Sequence, residues 1–138
     1  MNNNAIEIYQ NEDGSLQLAI TFQHESLWLA QSQLAELFNT STDNISLHLK
    51  NIFKSGELLE SATTEDFSIV RQEGSRKVTR TIKHYNLDAI ISVGYRVNST
   101  QATRFRQWAT KTLKQHLLQG YTLNQQRLTE NANELEKA

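Results

Sequence analysis

The chain has 138 residues, with 14 Lys and Arg, 15 Asp and Glu, 38% hydrophobic residues and no cysteine. This length and composition are typical of one globular domain. Without cysteine, disulfides, thiolate metal sites and a cysteine nucleophile are excluded. No apolar run approaches the ~20 residues of a membrane-spanning helix, and the N-terminus has no secretory signal pattern. We therefore expect a cytoplasmic protein that does not contact a membrane.

Charge is segregated along the chain. Residues 1–66 carry ten acids and two bases, for a net charge of −8, whereas residues 67–129 carry eleven bases and two acids, for +9. Residues 130–138 add −2, so the overall charge of −1 conceals a strongly basic middle segment. A field of that sign attracts polyanions such as nucleic acids. The alternative is that the Lys and Arg side chains only solvate helix surfaces.

The first half of the chain predicts a β-hairpin followed by two helices. Residues 5–9 and 16–22 show partial alternation between apolar and polar types around a turn-forming segment. Two apolar helical faces follow: Leu34, Ala35, Leu37 and Phe38 in the first helix, and Ile45, Leu49, Ile52 and Phe53 in the second. Thr40 or Ser41 is the predicted N-cap of the second helix. We expect the two helices to pack together.

The second half predicts another hairpin and then two further helices. Residues 67–72 and 77–85 are rich in β-branched and aromatic side chains around the turn-forming residues 73–76. Asn86 is expected to cap a helix over residues 87–95, and Ser99 a long helix over residues 100–119. The long helix has five residues at inward spacing: Phe105, Trp108, Ala109, Thr112 and Leu113.

Gly120 is expected to stop or kink that long helix. Beyond it, Leu123, Leu128 and Leu135 are too sparse to specify a buried face. The expected organisation is therefore a domain over residues 1–120, followed over 121–138 by a helical linker or the start of a missing C-terminal region.

The sequence offers little for catalysis. The five glycines stand singly, so neither a phosphate-binding loop nor a dinucleotide fingerprint is present. The four histidines are scattered, without a metal-binding spacing. No nucleophile-elbow motif supports a Ser-His-Asp triad. We therefore expect no enzymatic activity, no catalytic residue, no metal and no cofactor.

Residues 28–53 have the layout of a helix-turn-helix, in which the second helix reads the DNA major groove. With Ile45 directed inward, the helical repeat places Asp43, Leu47, Lys50, Asn51 and Lys54 outward, with Asn44 and His48 on one flank. Asn pairs with adenine, Lys contacts guanine or phosphate, and Leu can touch a thymine methyl. We expect Asp43 to cap the helix rather than to contact DNA. An ordinary two-helix corner with a solvated face fits the same periodicity.

The basic second hairpin favours DNA binding over that simpler interpretation. Arg71, Arg76, Lys77 and Arg80 lie in or beside its turn, where they are expected to contact phosphates. The predicted fold class is α+β: a winged helix-turn-helix with an N-terminal β-hairpin, a basic β-hairpin wing and a long C-terminal helical segment. On the long helix, Arg104, Lys111 and Lys114 form either a further basic stripe or a solvated face.

Several strings resemble the RhuM-type virulence-protein family: residues 28–38 (WLAQSQLAELF), 51–58 (NIFKSGEL) and above all 85–99 (YNLDAIISVGYRVNS). With residues 105–111 and 120–124, the resemblance covers about residues 25–130. Ala30 stands where family members often have Thr, which weakens the expected cap of the first helix. The family is bacterial and often encoded on mobile elements, and the resemblance implies a DNA-binding role for the helix pair.

Members of that family are usually longer, and relatives fuse this region to a Fic-type toxin module. The chain therefore resembles an N-terminal fragment, and it contains no H-P-F-x-x-G-N motif of the Fic type.

The function predicted from the sequence is sequence-recognising binding of double-stranded DNA, as part of a bacterial mobile-element or virulence-associated regulator. The expected base readers are Asn44, Leu47, His48, Lys50 and Asn51, with Lys54 at the same surface. The alternative is a protein-interaction or dimerisation module that controls a missing C-terminal effector such as a Fic-type toxin. In that alternative the acidic first half could meet the basic half of a second copy, which makes a homodimer a candidate assembly.

Overall fold

The computed structural model describes residues 5–137, with the side chains of residues 121–124, 126 and 133–137 left out of the description. The described residues form five strands and five helices. In chain order these are β1 (Ala5–Gln10), β2 (Gln17–Gln23), β3 (Ser26–Ala30), α1 (Gln31–Leu37), α2 (Thr42–Lys54), α3 (Glu60–Thr63), β4 (Thr64–Glu73), β5 (Arg76–Tyr85), α4 (Leu87–Val97) and α5 (Ser99–Lys137). The expected α+β class, both hairpins and the predicted helices are confirmed.

The strands form one antiparallel sheet in the order β1-β2-β3-β5-β4. Strand β3 joins the two predicted hairpins, because it pairs with β2 at Thr21 and Trp28 and with β5 at Leu29 and Tyr85. It was not predicted from the sequence. With only five residues, most of them buried, β3 shows no alternation of apolar and polar side chains.

The turn between β2 and β3 has an unusual composition. His24 and Glu25 both have positive φ, 51° and 58°, which is the backbone of a type I′ hairpin turn. Such turns favour Asn-Gly because other L-residues disfavour the left-handed region. The sequence therefore gives no turn signal here, although the chain turns tightly.

The core lies between one face of the sheet and the helices. Phe38 at the end of α1 and Phe105 on α5 are among the largest fully buried side chains, and Ile45 and Ile52 of α2 are also fully buried. Trp108 is half-buried and packs edge-on against Tyr9 of β1, with ring centroids 5.1 Å apart. The predicted inward positions of α2 and α5 are thus confirmed as packing positions.

The helix starts are set by short side-chain caps. The Ser41 hydroxyl accepts from the Asn44 N–H at 3.1 Å, and the Asn86 side chain accepts from the Ala89 N–H at 3.2 Å, both as predicted. Helix α1 lacks a capping hydroxyl at Ala30, as expected. The Gln33 side chain compensates in part by accepting from the Ala30 N–H at 3.0 Å.

The predicted stop of α5 at Gly120 and its predicted N-cap are both wrong. The helix does not end at Gly120 but continues to Lys137, because an isolated glycine costs a helix only about 1 kcal/mol and its neighbours favour helix. Its N-cap is Asn98 rather than Ser99: the Asn98 side chain accepts from the Gln101 N–H at 3.2 Å. The Asn98 N–H also donates to the Gly94 carbonyl at 2.7 Å, so this residue ends α4 and begins α5.

Candidate nucleic-acid interface

Helices α1 and α2 form a fixed corner. The connection contains Asn39 at a φ of 53°, a left-handed conformation that Asn tolerates. Across the corner, the Gln31 side-chain amide donates to the Thr42 carbonyl at 2.8 Å. Leu34, Leu37 and Ile45 are buried beneath it. The short turn and the shared core hold the two helices in one orientation, as a groove-reading helix requires.

The outward face of α2 is exposed as predicted. Leu47 is 55% exposed although it is apolar, and Lys50, Asn51 and Lys54 are exposed one to two turns further on. These four residues bring two cations, an amide and a methyl-bearing side chain to one helix surface, which we call the α2 face. Such a surface can contact both phosphates and base edges.

The two residues that flank the α2 face, Asn44 and His48, are less accessible to a ligand. The Asn44 side-chain amide donates to the Thr40 hydroxyl at 2.9 Å and is partly buried. His48 is also partly buried, and its Nδ1 has no hydrogen-bond partner among the described residues. The structure thus brings Leu47, Lys50, Asn51 and Lys54 together on the surface and holds Asn44 and His48 at its edge.

The β4–β5 hairpin is a long arm with an exposed tip. Each strand has ten residues, about 33 Å when extended, and every residue from 70 to 77 is exposed. Gly74 provides the positive φ, 64°, at the first position of the two-residue turn. Only the base of the hairpin is packed, where Phe67 lies edge-on to Trp28 and His84 with centroids 5.5 and 5.1 Å away.

The four predicted phosphate contacts do not share one face of this hairpin. Glu73 pairs with Arg76, Arg71 with Val78 and Ile69 with Arg80. Since directly opposed residues point to the same side of a sheet, the three arginines lie on one face, which we call the arginine face. Lys77 pairs with Gln72 on the opposite face.

One cation of the arginine face is already paired. Arg80 donates from Nε and Nη2 to the two carboxylate oxygens of Glu73, at 3.0 and 2.8 Å. These hydrogen bonds lower the pKa of Glu73 and raise that of Arg80. The positive charge of Arg71 also lowers the pKa of Glu73, by a smaller amount. Arg76 and Lys77 have no ion-pair partner among the described residues. Sequence reasoning missed this internal pairing, which the seven-residue separation conceals until the strand register is known.

The basic residues of α5 do not form one continuous basic stripe, because two of its arginines contact other parts of the protein. Arg104 forms an ion pair with Glu12 at 3.3 Å, which ties α5 to the β1–β2 turn. Arg106 donates to the Tyr95 hydroxyl at 3.3 Å, and this hydrogen bond lowers the Tyr95 pKa. Lys111 and Lys114 are exposed. The sequence did not single out Tyr95, because a lone exposed tyrosine carries no motif.

Among residues 5–137, with the side-chain gaps named above, no three His, Asp or Glu side chains are grouped as metal ligands. No helix in the described part of the chain is both long and apolar enough to span a membrane.

The described fold is therefore an antiparallel sheet that carries a helix corner, a basic hairpin and a long C-terminal helix. The model of the virulence protein RhuM family matches residues 62–137. Because this match spans more than half of the sequence, the chain belongs to the virulence protein RhuM family. No curated protein and no solved structure matches the chain. The matched segment includes the hairpin, α4 and α5, whereas α1 and α2 lie outside it.

Proposed function

We propose that this chain binds double-stranded DNA, with the α2 face in the major groove and the tip of the β4–β5 hairpin on the phosphate backbone. The observation that carries the proposal is the position of β3, which leads directly into α1 and pairs with β5. One strand therefore supports both the helix corner and the basic hairpin. A helix corner beside a basic hairpin is the arrangement of a winged helix-turn-helix, which supports this use of the surface.

The α2 face supplies the proposed base contacts. Asn51 can donate to and accept from an adenine edge, and Lys50 can reach guanine or a phosphate. Leu47 is exposed at the same surface, where contact with a thymine methyl would shield it from water. Asn44 would have to exchange its hydrogen bond with Thr40 for a base contact, so we assign it a smaller part in recognition.

The hairpin tip supplies the proposed phosphate contacts. Arg76 and Lys77 are exposed and pair with no carboxylate in the described part of the chain, so each can displace a counterion from a phosphate. Because they lie on opposite faces of the hairpin, they would reach different phosphates. Arg80 is the weaker contributor, since phosphate must compete with Glu73 for its guanidinium.

The first test is binding of fluorescent random-sequence duplex DNA across a salt series. Affinity should fall steeply with salt, and Arg76→Ala or Lys77→Ala should each reduce the slope by about one unit. Arg127→Ala is the matched control, because it removes the same charge from an exposed position on distal α5. Equal losses in Arg76→Ala and Arg127→Ala would mean that only net charge matters. Salt-independent binding would refute the phosphate contacts.

The second test separates recognition from attraction. On a DNA site selected from a random pool, Lys50→Ala or Asn51→Ala should cost about 1–3 kcal/mol of binding free energy, and much less on random DNA. If these variants keep the sequence preference while the hairpin variants lose it, the two roles are reversed. If neither set changes binding, the surface serves a protein partner.

Glu73→Gln provides a test with the opposite sign. Removing the carboxylate releases Arg80, so DNA affinity should rise and the salt slope should steepen by up to about 0.9. Glu65→Gln removes an exposed acid from the base of the same hairpin and serves as the control. Equal gains in the two variants would show that loss of negative charge alone accounts for the effect.

A protein-interaction module is the second candidate function. The observation that favours it is the exposure of apolar side chains on α5, where Leu117 and Leu118 are 61% and 62% exposed. In this proposal, α5 would hold a partner or a fused effector domain while the hairpin and α2 stay free.

A further inference from the structure

The distal part of α5 extends beyond the packed body of the protein. The helix has 39 residues, about 58 Å of axis. His116 is the anchor to the sheet: its Nε2 lies 2.6 Å from the Glu7 carboxylate, and its ring stacks on Phe22 with centroids 3.8 Å apart. From residue 117 onward, every described side chain is exposed. Because helices in proteins gain most of their stability from packing of one face, packing against another helix would stabilise the distal segment.

The sequence of this segment has a heptad repeat. When position 118 is assigned to a, the a positions hold Leu118, Gln125 and Ala132, and the d positions hold Tyr121, Leu128 and Leu135. We call these six positions the α5 seam. Spacing of 3.5 residues on a helical backbone is the pattern of a coiled coil. The leucines of this segment alone are too sparse to indicate a buried face. The repeat becomes visible only when Tyr, Gln and Ala are counted at the remaining a and d positions.

The charges of the segment avoid the seam. Arg127 and Glu134 fall at c positions, and Glu130 and Lys137 at f positions, which face away from a partner helix. Glu136, at an e position, is the one remaining charged residue of the five after position 117 in the sequence. A seam without charge, opposite an identical seam, meets no electrostatic repulsion.

We propose that residues 118–135 of two copies of this chain form a parallel, in-register two-stranded coiled coil. In the parallel arrangement Gln125 faces Gln125 of the second copy, and an amide can both donate to and accept from its equivalent. An antiparallel pairing that aligns the whole seam would place Gln125 opposite Leu128 and bury an amide against a methyl group. A single polar residue at a is a known determinant of register.

A second copy is the proposed partner, because the other helices in the described part of the chain are short and already packed in the core. Helix α5 is continuous to Lys137, so it cannot fold back on itself. The next longest helix of the described chain, α2, has 13 residues and is committed to the core through Ile45, Leu49 and Ile52. The seam, in contrast, complements itself. This inference does not depend on DNA binding, and it can be tested in the absence of DNA.

Sedimentation of the full chain without DNA tests the association. The wild-type chain should have the mass of two copies at high protein concentration, and Leu128→Asp should sediment as one copy. Leu123→Asp is the matched control, because the same substitution in the same helix falls at an f position outside the seam. A wild-type monomer, a trimer, or dissociation of both variants alike would overturn the proposal.

Disulfide trapping tests the orientation in a chain that has no cysteine of its own. Gln125→Cys should form a cross-linked dimer under mild oxidation, because equivalent a positions meet in a parallel pair. Gln126→Cys, the neighbouring glutamine at an outward b position, should not. Equal cross-linking of the two variants, or none in Gln125→Cys, would refute the parallel seam. This experiment also decides the matter if Leu128→Asp proves poorly folded.

Discussion

Replacement of Gly94 by alanine should destabilise the protein, although alanine is the better helix former. Gly94 lies on α4 where that helix meets α5 and the end of α1. A Cβ added there would stand 2.6 and 2.8 Å from Cζ and Cε1 of Phe38, and 2.7 Å from Cβ of Ala102. Non-bonded carbons prefer about 3.5–4.0 Å, so the added methyl requires displacements of roughly 1 Å.

The surroundings of Gly94 leave little room for such displacements. Ala102 has no side-chain rotamer to change, so its contact can be relieved only by moving α5 away from α4. Phe38 is 1% exposed and Ala102 0%, and neither can shift toward solvent without opening the core. Overpacking of a well-packed core costs about 1–3 kcal/mol. Because the new methyl group is too close to two buried side chains, we estimate an overpacking cost of about 2–3 kcal/mol. Alanine gains about 1 kcal/mol in helix propensity over glycine, so the net loss in free energy of unfolding is about 1–2 kcal/mol.

Urea denaturation followed by tryptophan fluorescence measures this loss. With a slope of about 1–3 kcal/mol/M for a small domain, the midpoint of Gly94→Ala should fall by about 0.5–1 M. Gly120→Ala is the matched control: the same substitution in a helix, at a glycine with nothing within 4 Å of the new Cβ. It should leave the midpoint unchanged or raise the helical content.

The double variant Phe38→Leu with Gly94→Ala identifies the contact. If the clash with Phe38 is the cause, leucine at position 38 makes room for the new methyl group. The double variant should then lose less free energy of unfolding than the sum of the losses in the two single variants. A Gly94→Ala protein as stable as the wild type would refute the close packing of α4 on α5. Additive losses would assign the cost to Ala102 alone.

Three further predictions concern stability. Trp108→Ala should lower the free energy of unfolding by about 3 kcal/mol, since its ring packs against Tyr9 and Phe105, and an unchanged denaturation midpoint would contradict that packing. Burial lowers the pKa of His84, so the unfolded chain binds the proton more readily; stability should therefore fall as the pH drops below about 6.5, and His84→Gln should flatten this part of the melting-temperature profile. Glu25→Gly should raise the melting temperature because it relieves a left-handed φ of 58°, whereas Glu25→Ala should not.

The sequence predicted the elements whose signals are local. The strand predicted over residues 5–9, the stripe of Ile45, Leu49 and Ile52, and the cap at Asn86 each depend on neighbours in the chain, and the structure confirms them. The alternation in β1 does not bury its apolar face, because Ile6 and Ile8 are 54% and 57% exposed. Strand β3 could not be found in this way. Its pairing with β5 joins residues more than fifty positions apart, and its turn uses His24 and Glu25 in place of the usual Asn and Gly.

The candidate site was predictable in composition but not in arrangement. Helical periodicity placed Lys50 and Asn51 on the outside of α2, where the structure has them. The basic residues of the hairpin were also found, but the placement of three arginines on one face and Lys77 on the other depends on a strand register that the turn residues alone do not determine. In particular, the contact of Arg80 with Glu73 follows from the register, because each lies on the arginine face near the tip.

The string that carries the strongest family resemblance, residues 85–99, has a structural explanation in this fold. Asn86 starts α4, Gly94 allows α4 to approach α5, and Asn98 both ends α4 and starts α5. These three residues determine how the two helices meet, and all are at least partly buried. Contact with a partner requires exposed side chains, so the proposed binding functions use the α2 face, the hairpin tip and the α5 seam instead. The α4–α5 junction therefore explains the residue types in this string, whereas substitutions at those three surfaces test the proposed DNA binding and dimerisation.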